Sequence, residues 1–471
     1  MTHARRRIAV GLLVGSCLLA GSAGPALAGG RKAPKLTFNK AVALTSFSPL
    51  RTAVGTVYSL QREQRLSEHE WSGEPSLQIN DDGTIFIAGT CCVVASSPLW
   101  HSVDGGKTFK ELESPGHARE FGVGAEGDLA VDHDGGVYFI DTSIAGLIMS
   151  KWTDQGRHWE YSVQPAGPIP GFDDRPWLAI SDKALYLYIN HVTHTAVYRS
   201  TDGGLTWTNQ MPLAWRGNAL GQPFFPAHIA AHEKKDTLWV SGVVSEGGQD
   251  TLGSAVSTDG GTTYTQSVVS KPQRGAFSPI FTGATAVDDA GNGYVTWSTT
   301  DPKGCDVYYA SSSNNGKSWS KPVKLNKGKG CATFPWITAK GNGKVGVVWY
   351  ETPATGPAGA AERARRTVMG KTIYNGLEIP LTFQDEVSEN AKWYLHAAAV
   401  TAATKKKPQI TSARVPTRTP VMQGPLLREL WDFLQVDIGS DGRLHIAFVE
   451  KFNDPAPQTY YVSSKTGPRL K

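Results

Sequence analysis

Charged and aromatic residues occur together in several short segments of the chain, and their side-chain types suit an anionic or hydroxylated ligand. Arginine binds carboxylates through a planar fork of donors, aromatic rings supply apolar contact surface, and carboxyl groups exchange protons. A sugar is the ligand class that this combination favours. The candidate substrate-binding residues are Arg119, Arg175, Arg274, Arg428, Trp431 and Asp432. The candidate catalytic residues are Asp173, Asp174, Tyr350, Glu351 and Glu429.

A turn that recurs about every fifty residues indicates the repeated structural elements that must position these residues. Its form is Ser-x-Asp-x-Gly-x-x-aromatic, with small departures. The acidic or amide side chain satisfies backbone N–H groups of its own turn, glycine supplies positive φ, and the ring packs between sheets. The motif therefore predicts a hairpin turn rather than a binding site. Its acidic or amide positions are Asp104, Asp154, Asp202, Asp259 and Asn314.

A second type of turn, rich in Gly, Asp and Asn, is flanked by alternating apolar residues, as in residues 77–87 and 434–446. Alternation with period two predicts paired strands, so each copy is a β-hairpin. Each of the first five hairpins is followed, about twenty residues later, by one of the Ser-x-Asp turns. One repeat is therefore a four-stranded blade. Seven hairpins predict an all-β fold, a seven-bladed β-propeller with six blades as the alternative.

The last two repeats depart from this pattern. Residues 353–392 interrupt the sixth repeat with little periodicity, and this insertion is either a surface loop or a lid over a site. The seventh repeat stops before a fourth strand. We expect residues 36–44 to supply that strand and close the ring, which hides the sheet edges. Residues 29–471 are thus expected to form one propeller domain.

Blade connectivity separates two faces of the predicted propeller. In an up-and-down four-stranded sheet the first and third turns lie at one end, so both glycine-rich turns share a face. The opposite face is built from the second turns and from the residues that lead into each first strand. The candidate substrate-binding and catalytic residues fall in these segments. The sequence therefore predicts the site on the face opposite the glycine-rich turns.

The segment Ser200-Thr-Asp202-Gly-Gly204-Leu-Thr-Trp207 and its copies resemble the Asp-box, or bacterial neuraminidase repeat, of sialidase-like β-propellers. The resemblance implies a glycoside hydrolase in which three arginines hold the sugar carboxylate, a tyrosine activated by glutamate attacks, and an aspartate is the acid and base. In this chain the resemblance implies that the arginines are among Arg119, Arg175, Arg274 and Arg428. It also implies that the adjacent Tyr350 and Glu351 form the pair, if the strand has ended there, and that Asp173 or Asp174 is the acid. The Arg-Ile-Pro motif of that family does not occur in this chain. Two interpretations stay open, namely an exported sialidase-like glycoside hydrolase and a non-catalytic propeller that binds glycan or protein at the cell surface.

The first 28 residues have the pattern of an export signal. Three arginines at positions 5–7 precede an apolar run at 8–20, and Ala26-Leu-Ala28 offers a small-residue cleavage site. We expect a secreted protein whose mature chain begins at Gly29. The alternative is a lipoprotein acylated at Cys17, but leucines follow that cysteine where a tether would be polar.

Cysteines of an exported protein are normally oxidised. Cys305 and Cys331 fall on the same predicted face of neighbouring blades, so we expect them to form a disulfide. Cys91 and Cys92 are adjacent, and their spacing of about 3.8 Å is shorter than the usual disulfide span. These two are either a strained vicinal disulfide or two buried thiols.

Charge and histidine spacing limit the partners of the chain. The formal net charge is +5, and three of the arginines belong to the leader, which argues against a dedicated nucleic-acid or anionic-membrane binder. The histidines match no His-x-x-x-His pattern, so neither a metal nor a cofactor is expected. We expect a monomer without a transmembrane segment that acts on a glycan or a cell-surface polysaccharide.

Overall fold

Strands make up almost all of the regular structure in the computed structural model. The structure describes residues 34–44, 72–90, 97–112, 126–143, 146–166, 174–191, 194–209, 223–246, 249–273, 275–277, 283–301, 304–354, 371–374, 377–380, 391–417, 419–424, 430, 433–451 and 457–471. These ranges contain no α-helix, and hence none long and apolar enough to cross a membrane. The described residues all belong to one compact unit, Pro34–Lys471.

The chain begins with two short strands and then forms four separate antiparallel sheets. The short strands are β1 (Thr37–Phe38) and β2 (Val42–Ala43). The first sheet contains β3 (Gly73–Ile79), β4 (Ile85–Thr90), β5 (Leu99–Ser102) and β6 (Lys110–Glu111). The second sheet contains β7 (Gly127–Val131), β8 (Val137–Ser143), β9 (Gly146–Thr153) and β10 (His158–Val163). The third sheet contains β11 (Asp174–Ser181), β12 (Ala184–His191), β13 (His194–Ser200) and β14 (Thr208–Asn209). The fourth sheet contains β15 (Pro223–His232), β16 (Thr237–Glu246), β17 (Gln249–Ser257) and β18 (Thr265–Ser270).

The second half of the chain forms a ten-stranded sheet, a small hairpin and a closing sheet. The ten-stranded sheet contains β19 (Ala276–Phe277), β20 (Thr285–Val287), β21 (Gly293–Asp301), β22 (Gly304–Ser312), β23 (Val323–Lys324), β24 (Cys331–Lys340), β25 (Lys344–Thr352), β28 (Lys392–Thr401), β29 (Gln409–Arg414) and β30 (Met422–Gln423). The hairpin pairs β26 (Lys371–Tyr374) with β27 (Leu377–Pro380). The closing sheet contains β31 (Gln435–Ile438), β32 (Leu444–Glu450) and β33 (Gln458–Thr466), joined by β1 and β2.

The first strands of successive repeats contact one another in a closed cycle. This ring of first strands runs through β3, β7, β11, β15, β20, β24 and β31, and β31 contacts β3 again. The later strands of each repeat follow outward from the ring in an antiparallel meander. A ring of radially arranged antiparallel sheets is a β-propeller, so the predicted all-β propeller architecture is confirmed.

The ten-stranded sheet is held together at one point. Its strands are antiparallel except where β22 and β24 meet in a parallel pair, Cys305 opposite Cys331. A disulfide joins these two cysteines, whose Cα atoms are 4.1 Å apart. The predicted pairing is therefore present. On either side of it lie an antiparallel group that ends at β23 and another that begins at β24.

The amino-terminal strands complete the closing sheet. Thr37 of β1 lies opposite Thr466 of β33, and Val42 of β2 lies opposite Tyr461. The expectation that residues 36–44 supply the missing outer strand is confirmed. Because β33 gains a partner along its outer edge, its backbone N–H and C=O groups are paired rather than free to recruit another chain.

The core lies between neighbouring sheets and consists of the apolar residues that alternate along the inner strands. Between the second and third sheets, for example, Ile140 and Met149 pack with Leu187 and Tyr198. Tryptophans provide the largest fully buried side chains, at positions 100, 152, 239, 297, 349 and 393. Alternate burial along a strand is what the period-two pattern predicts.

The Ser-x-Asp turns are organised by hydrogen bonds from their own backbone. At the first turn, the Gly106 N–H donates to Ser102 Oγ at 2.9 Å, and the Thr108 N–H donates to Asp104 Oδ1 at 3.0 Å. Equivalent contacts occur around Asp202, Asp259 and Asn314. Asp154 differs, because a tryptophan replaces the serine of its turn and its carboxylate contacts the Arg157 guanidinium at 3.2 Å.

Two buried carboxyl groups join the sheets near the ring of first strands. Asp128 in β7 accepts hydrogen bonds from Ser76 Oγ in β3 at 2.6 Å and from the Leu178 N–H in β11 at 2.9 Å. Asp437 in β31 accepts the Ile79 N–H of β3 at 2.9 Å. Burial raises the pKa of Asp128 to about 6 and also raises the pKa of Asp437. Each carboxyl group therefore links its own sheet to neighbouring ones.

The raised pKa of Asp128 predicts a pH-dependent stability. Between about pH 4 and pH 6 the unfolded carboxyl group ionises while the folded one stays protonated, so its contribution to the free energy of unfolding falls as pH rises. In Asp128→Asn this titration is removed. Urea unfolding of wild type and Asp128→Asn at pH 4.5 and pH 7 measures this effect. We expect the difference in free energy of unfolding, wild type minus variant, to be about 2 kcal/mol larger at pH 4.5 than at pH 7. Equal differences at the two pH values would contradict the buried titration.

Candidate functional site

Three residues with unusual backbone conformation mark one end of the ring of first strands. Glu74, Arg175 and Phe334 have φ of 44°, 58° and 53°, and each is followed by a proline in β3, β11 and β24. Residues other than glycine rarely adopt a positive φ, and a residue before proline normally prefers an extended backbone. Each such residue costs about 1–3 kcal/mol, and strain of this kind concentrates at functional sites.

The strained positions coincide with irregular pairing at the start of the first strands. The register of β3 against β4 shifts between Gly73 and Ser76, that of β11 against β12 between Asp174 and Trp177, and that of β24 against β25 between Thr333 and Trp336. A bulge re-aims the side chains next to it. We call this end of the ring, defined by Glu74, Glu126, Arg175 and Phe334, the strand-start mouth.

Four aromatic side chains meet inside the ring of first strands. The Trp177 ring lies 5.3 Å from Trp336, 5.3 Å from His228 and 4.7 Å from Phe433, and the His228 and Trp336 centroids are 4.7 Å apart. Trp177, Trp336 and His228 come from β11, β24 and β15, and Phe433 lies two residues before β31; β11 is not a neighbour of β24 or β31 in the ring. Contact between them therefore crosses its middle. We call Trp177, His228, Trp336 and Phe433 the aromatic plug.

His228 takes part in the plug as a neutral ring. Its Nδ1 lies 3.0 Å from the Thr285 carbonyl oxygen of β20. Because a carbonyl only accepts, Nδ1 carries the hydrogen and Nε2 is left as an acceptor. Burial lowers the pKa of His228 to about 4, so the ring carries no charge at neutral pH.

Arg175 and Trp177 place polar groups at the strand-start mouth, next to the plug. The Arg175 N–H donates to Glu126 Oε2 at 2.6 Å, and its guanidinium lies 5.4 Å from the centre of the Phe433 ring. The Trp177 indole N–H is buried and has no hydrogen-bond acceptor among the described residues. Such a buried donor costs about 1–3 kcal/mol when it is unsatisfied. The mouth thus combines a cation, a free donor and aromatic surface.

Tyr350 and Glu351 do not form the pair that the resemblance implied. Successive residues of a strand point to opposite sides, and here both lie within β25. The Tyr350 hydroxyl accepts the Val449 N–H at 3.2 Å, and burial raises its pKa. Glu351 instead accepts the Trp349 indole N–H at 2.9 Å and lies 3.6 Å from His396 Nδ1. This environment favours a packing role for Tyr350.

Most of the other predicted site residues are not described. Asp174 lies at the start of β11, opposite Asn190, and only its backbone is described. The structure thus describes the side chains of Arg175, Tyr350 and Glu351 among the candidates, and does not bring Arg175 together with the other two in any contact. The candidates outside the described residues are Arg119, Asp173, Arg274, Arg428, Glu429, Trp431 and Asp432, as are Cys91 and Cys92.

Sequence reasoning missed Glu126 of the strand-start mouth and Phe433 of the aromatic plug. Glu126 comes directly before β7 and Phe433 lies two residues before β31, positions comparable to that of Glu74 near the start of β3. Aligning the first strands of the repeats by their hairpins would have found both. Neither residue stands in a conspicuous charged cluster of its own, so composition gave no signal.

No protein-family model matches this chain, and no curated protein matches it. Among solved structures it is similar to a protein of unknown function from Dyadobacter fermentans, with 14% identity, 84% of this chain and 95% of that chain covered, and a TM-score of 0.44. It is also similar to a Penicillium chrysogenum α-L-arabinanase, with 12% identity, coverages of 91% and 98%, and a TM-score of 0.41. A third is the phage phi92 endosialidase, with 11% identity, coverages of 85% and 67%, and a TM-score of 0.42. At these values the similarities carry no conclusion about activity.

Backbone strain at Arg175 predicts an inverted ranking of two substitutions. In an ordinary strand position alanine is more stable than glycine, but glycine adopts a φ near 58° without strain. We therefore expect Arg175→Gly to be more stable than Arg175→Ala by about 1 kcal/mol, measured by urea unfolding. The two variants lose the same guanidinium, so their difference isolates the backbone. A more stable alanine variant would show that the position is unstrained.

Proposed function

We propose that this chain is an exported β-propeller that binds a glycan at the strand-start mouth. The observation that carries the proposal is the buried Trp177 N–H, which lacks an acceptor among the described residues. The Trp177 ring packs against Phe433, and the Arg175 guanidinium approaches that same ring. A ligand hydroxyl or carboxylate would satisfy the indole N–H, while the guanidinium would pair with an acidic sugar. Sites that bind small ligands generally combine aromatic surface with a few polar groups that orient the ligand.

Local strain supports the same location. Three non-glycine residues before proline have positive φ at one end of the ring, each at a cost of about 1–3 kcal/mol. A fold that served only as a scaffold would gain stability from a glycine or an extended residue there. Function at the mouth explains why Glu74, Arg175 and Phe334 occupy these positions.

The proposal includes the organisation of the chain. We infer that the two antiparallel groups of the ten-stranded sheet are separate blades, which gives seven blades with the Ser-x-Asp turns as Asp-boxes. Residues 29–471 then form one domain, with residues 1–28 as the export signal and 353–392 as an insertion that contains the β26–β27 hairpin. The disulfide between Cys305 and Cys331 is compatible with an oxidising, extracellular location.

Glycan binding that depends on the Trp177 N–H is tested by a substitution that removes this donor and keeps a six-membered aromatic ring. Trp177→Phe keeps an aromatic ring in the plug but lacks the donor. We expect purified residues 29–471 to bind members of a glycan array, with affinity at least tenfold weaker in Trp177→Phe, a loss of about 1.4 kcal/mol in binding free energy.

Trp239→Phe is the matched control for that experiment. The Trp239 indole N–H is also buried without an acceptor among the described residues, but it lies in β16, with its ring 6.0 Å from Trp319 rather than in the plug. Its loss should leave glycan affinity unchanged. Equal affinities for both variants and wild type would exclude the mouth as the binding site.

Sialidase-like hydrolysis is the second candidate function, and the repeated Ser-x-Asp turns favour it. The residues that would perform it include Arg428 and Glu429, with Asp173 or Asp174 as the acid, and they lie at or beyond the limits of the described residues. A non-catalytic propeller would retain binding at the mouth without them. Turnover therefore separates the two functions.

A panel of fluorogenic sialosides and other α- and β-glycosides tests hydrolysis. If the chain is a glycosidase, Arg428→Ala and Glu429→Gln should each abolish turnover while the melting temperature stays within about 3 °C of wild type, since loss of a side chain that acts only on the substrate leaves the packing of the fold unchanged. A matching loss of stability would assign these residues to structure. No turnover on any substrate would leave the binding propeller as the function.

A further inference from the structure

Three turns on the face opposite the strand-start mouth bring a histidine and two carboxylates together. His133 lies in the turn between β7 and β8, Asp182 between β11 and β12, and Glu233 between β15 and β16. One potential ligand atom from each residue lies within 4.8 Å of the others. The three side chains are exposed, so they are accessible to an ion from solvent.

The spacing within this cluster is close to that of a coordination sphere. His133 Nδ1 lies 3.5 Å from Asp182 Oδ1. Zinc bonds of 2.0–2.1 Å in a tetrahedral arrangement place neighbouring donor atoms about 3.3 Å apart. The Asp182 N–H also donates to the Glu233 carbonyl oxygen at 2.8 Å, which fixes the two turns relative to each other. The three potential ligand atoms, all within 4.8 Å of one another, are thus near the separation that one shared ion requires.

The second nitrogen of His133 has the surroundings typical of a metal ligand. Its Nε2 lies 3.4 Å from Asp134 Oδ1. This nitrogen is on the other side of the ring from Nδ1, the nitrogen that contacts Asp182. Metal-bound histidines usually direct the nitrogen that is not coordinated to a carboxylate or a carbonyl, which orients the ring. Asp134 is in the position to perform this role.

A cavity adjoins the three side chains. It has a volume of about 300 Å³, and His133, Asp182 and Glu233 form part of its lining together with Tyr138 and Thr201. Three protein donors leave a coordination position of a tetrahedral ion open, and this cavity provides room there for water or a small anion. The cavity and the three potential donors therefore coincide in position.

We propose that His133, Asp182 and Glu233 form a divalent metal site that prefers Zn²⁺. One imidazole nitrogen and two carboxylate oxygens suit Zn²⁺ and, more weakly, Mn²⁺, whereas Ca²⁺ and Mg²⁺ prefer oxygen ligands alone. The ion would connect the second, third and fourth sheets at one end of the ring. This site departs from the expectation drawn from histidine spacing, because its ligands come from three turns about fifty residues apart.

Isothermal titration of the chelator-treated chain, residues 29–471, with ZnCl₂ tests the site. We expect one saturable equivalent, a rise in melting temperature on saturation, weaker binding of MnCl₂, and at least tenfold weaker binding of CaCl₂ and MgCl₂. The melting temperature is a readout that does not depend on any enzymatic activity or on glycan binding. Absence of saturable Zn²⁺ binding would overturn the proposal.

Variants distinguish this site from adventitious binding to other histidines or to cysteine thiols. His133→Ala and, independently, Glu233→Gln should each weaken Zn²⁺ at least tenfold and remove the thermal shift, with an unchanged circular dichroism spectrum as evidence of folding. His158→Ala is the matched control, because His158 is an exposed histidine outside the cluster, and it should bind as wild type does. Zn²⁺ affinity and stoichiometry that stay the same in both cluster variants would refute the assignment.

Discussion

Buried carboxyl groups that accept hydrogen bonds from neighbouring sheets are the interaction on which this ring depends. Hydrogen-bonded strands satisfy one another within a sheet, but the inner edges of adjacent sheets present N–H groups that face each other across a gap. Asp128 accepts the Leu178 N–H from one side and the Ser76 hydroxyl from the other, and Asp288 accepts the Gly343 N–H of the following repeat at 2.8 Å. Because these acceptors are buried, no water competes for the donors, and the sheets are held at defined distances.

Because these hydrogen bonds hold the sheets together inside the ring, the two ends of the ring carry different sets of residues. One end carries strained backbone, the Arg175 guanidinium and the plug, while the other carries hairpin turns whose acidic side chains face solvent. The plug closes the middle, since Trp177 touches residues from across the ring. A ligand at either end therefore meets a floor rather than an open channel, and the two ends can be altered independently.

Features that depend on short stretches of sequence were predictable, and those that depend on the ring were not. The hairpins, the Ser-x-Asp turns and the period-two strands follow from local rules, and the ring closure and the Cys305–Cys331 disulfide followed from counting strands. The aromatic plug brings together residues that are far apart in the chain, and nothing in the sequence around each of them predicts that they are in contact. Tyr350 and Glu351 were adjacent in sequence, yet strand alternation separates them.

The pairing of β1 with β33 also sets an order of events during synthesis. Thr37 Oγ1 lies 2.6 Å from Thr466 Oγ1, although 429 positions separate them. Strand β1 is thus synthesised long before its partner β33. Until then the chain is an open arc with two exposed edges, and joining ends so distant carries a large loop-closure entropy. The pairing of β1 and β2 with β33 can therefore form only after β33 has been synthesised.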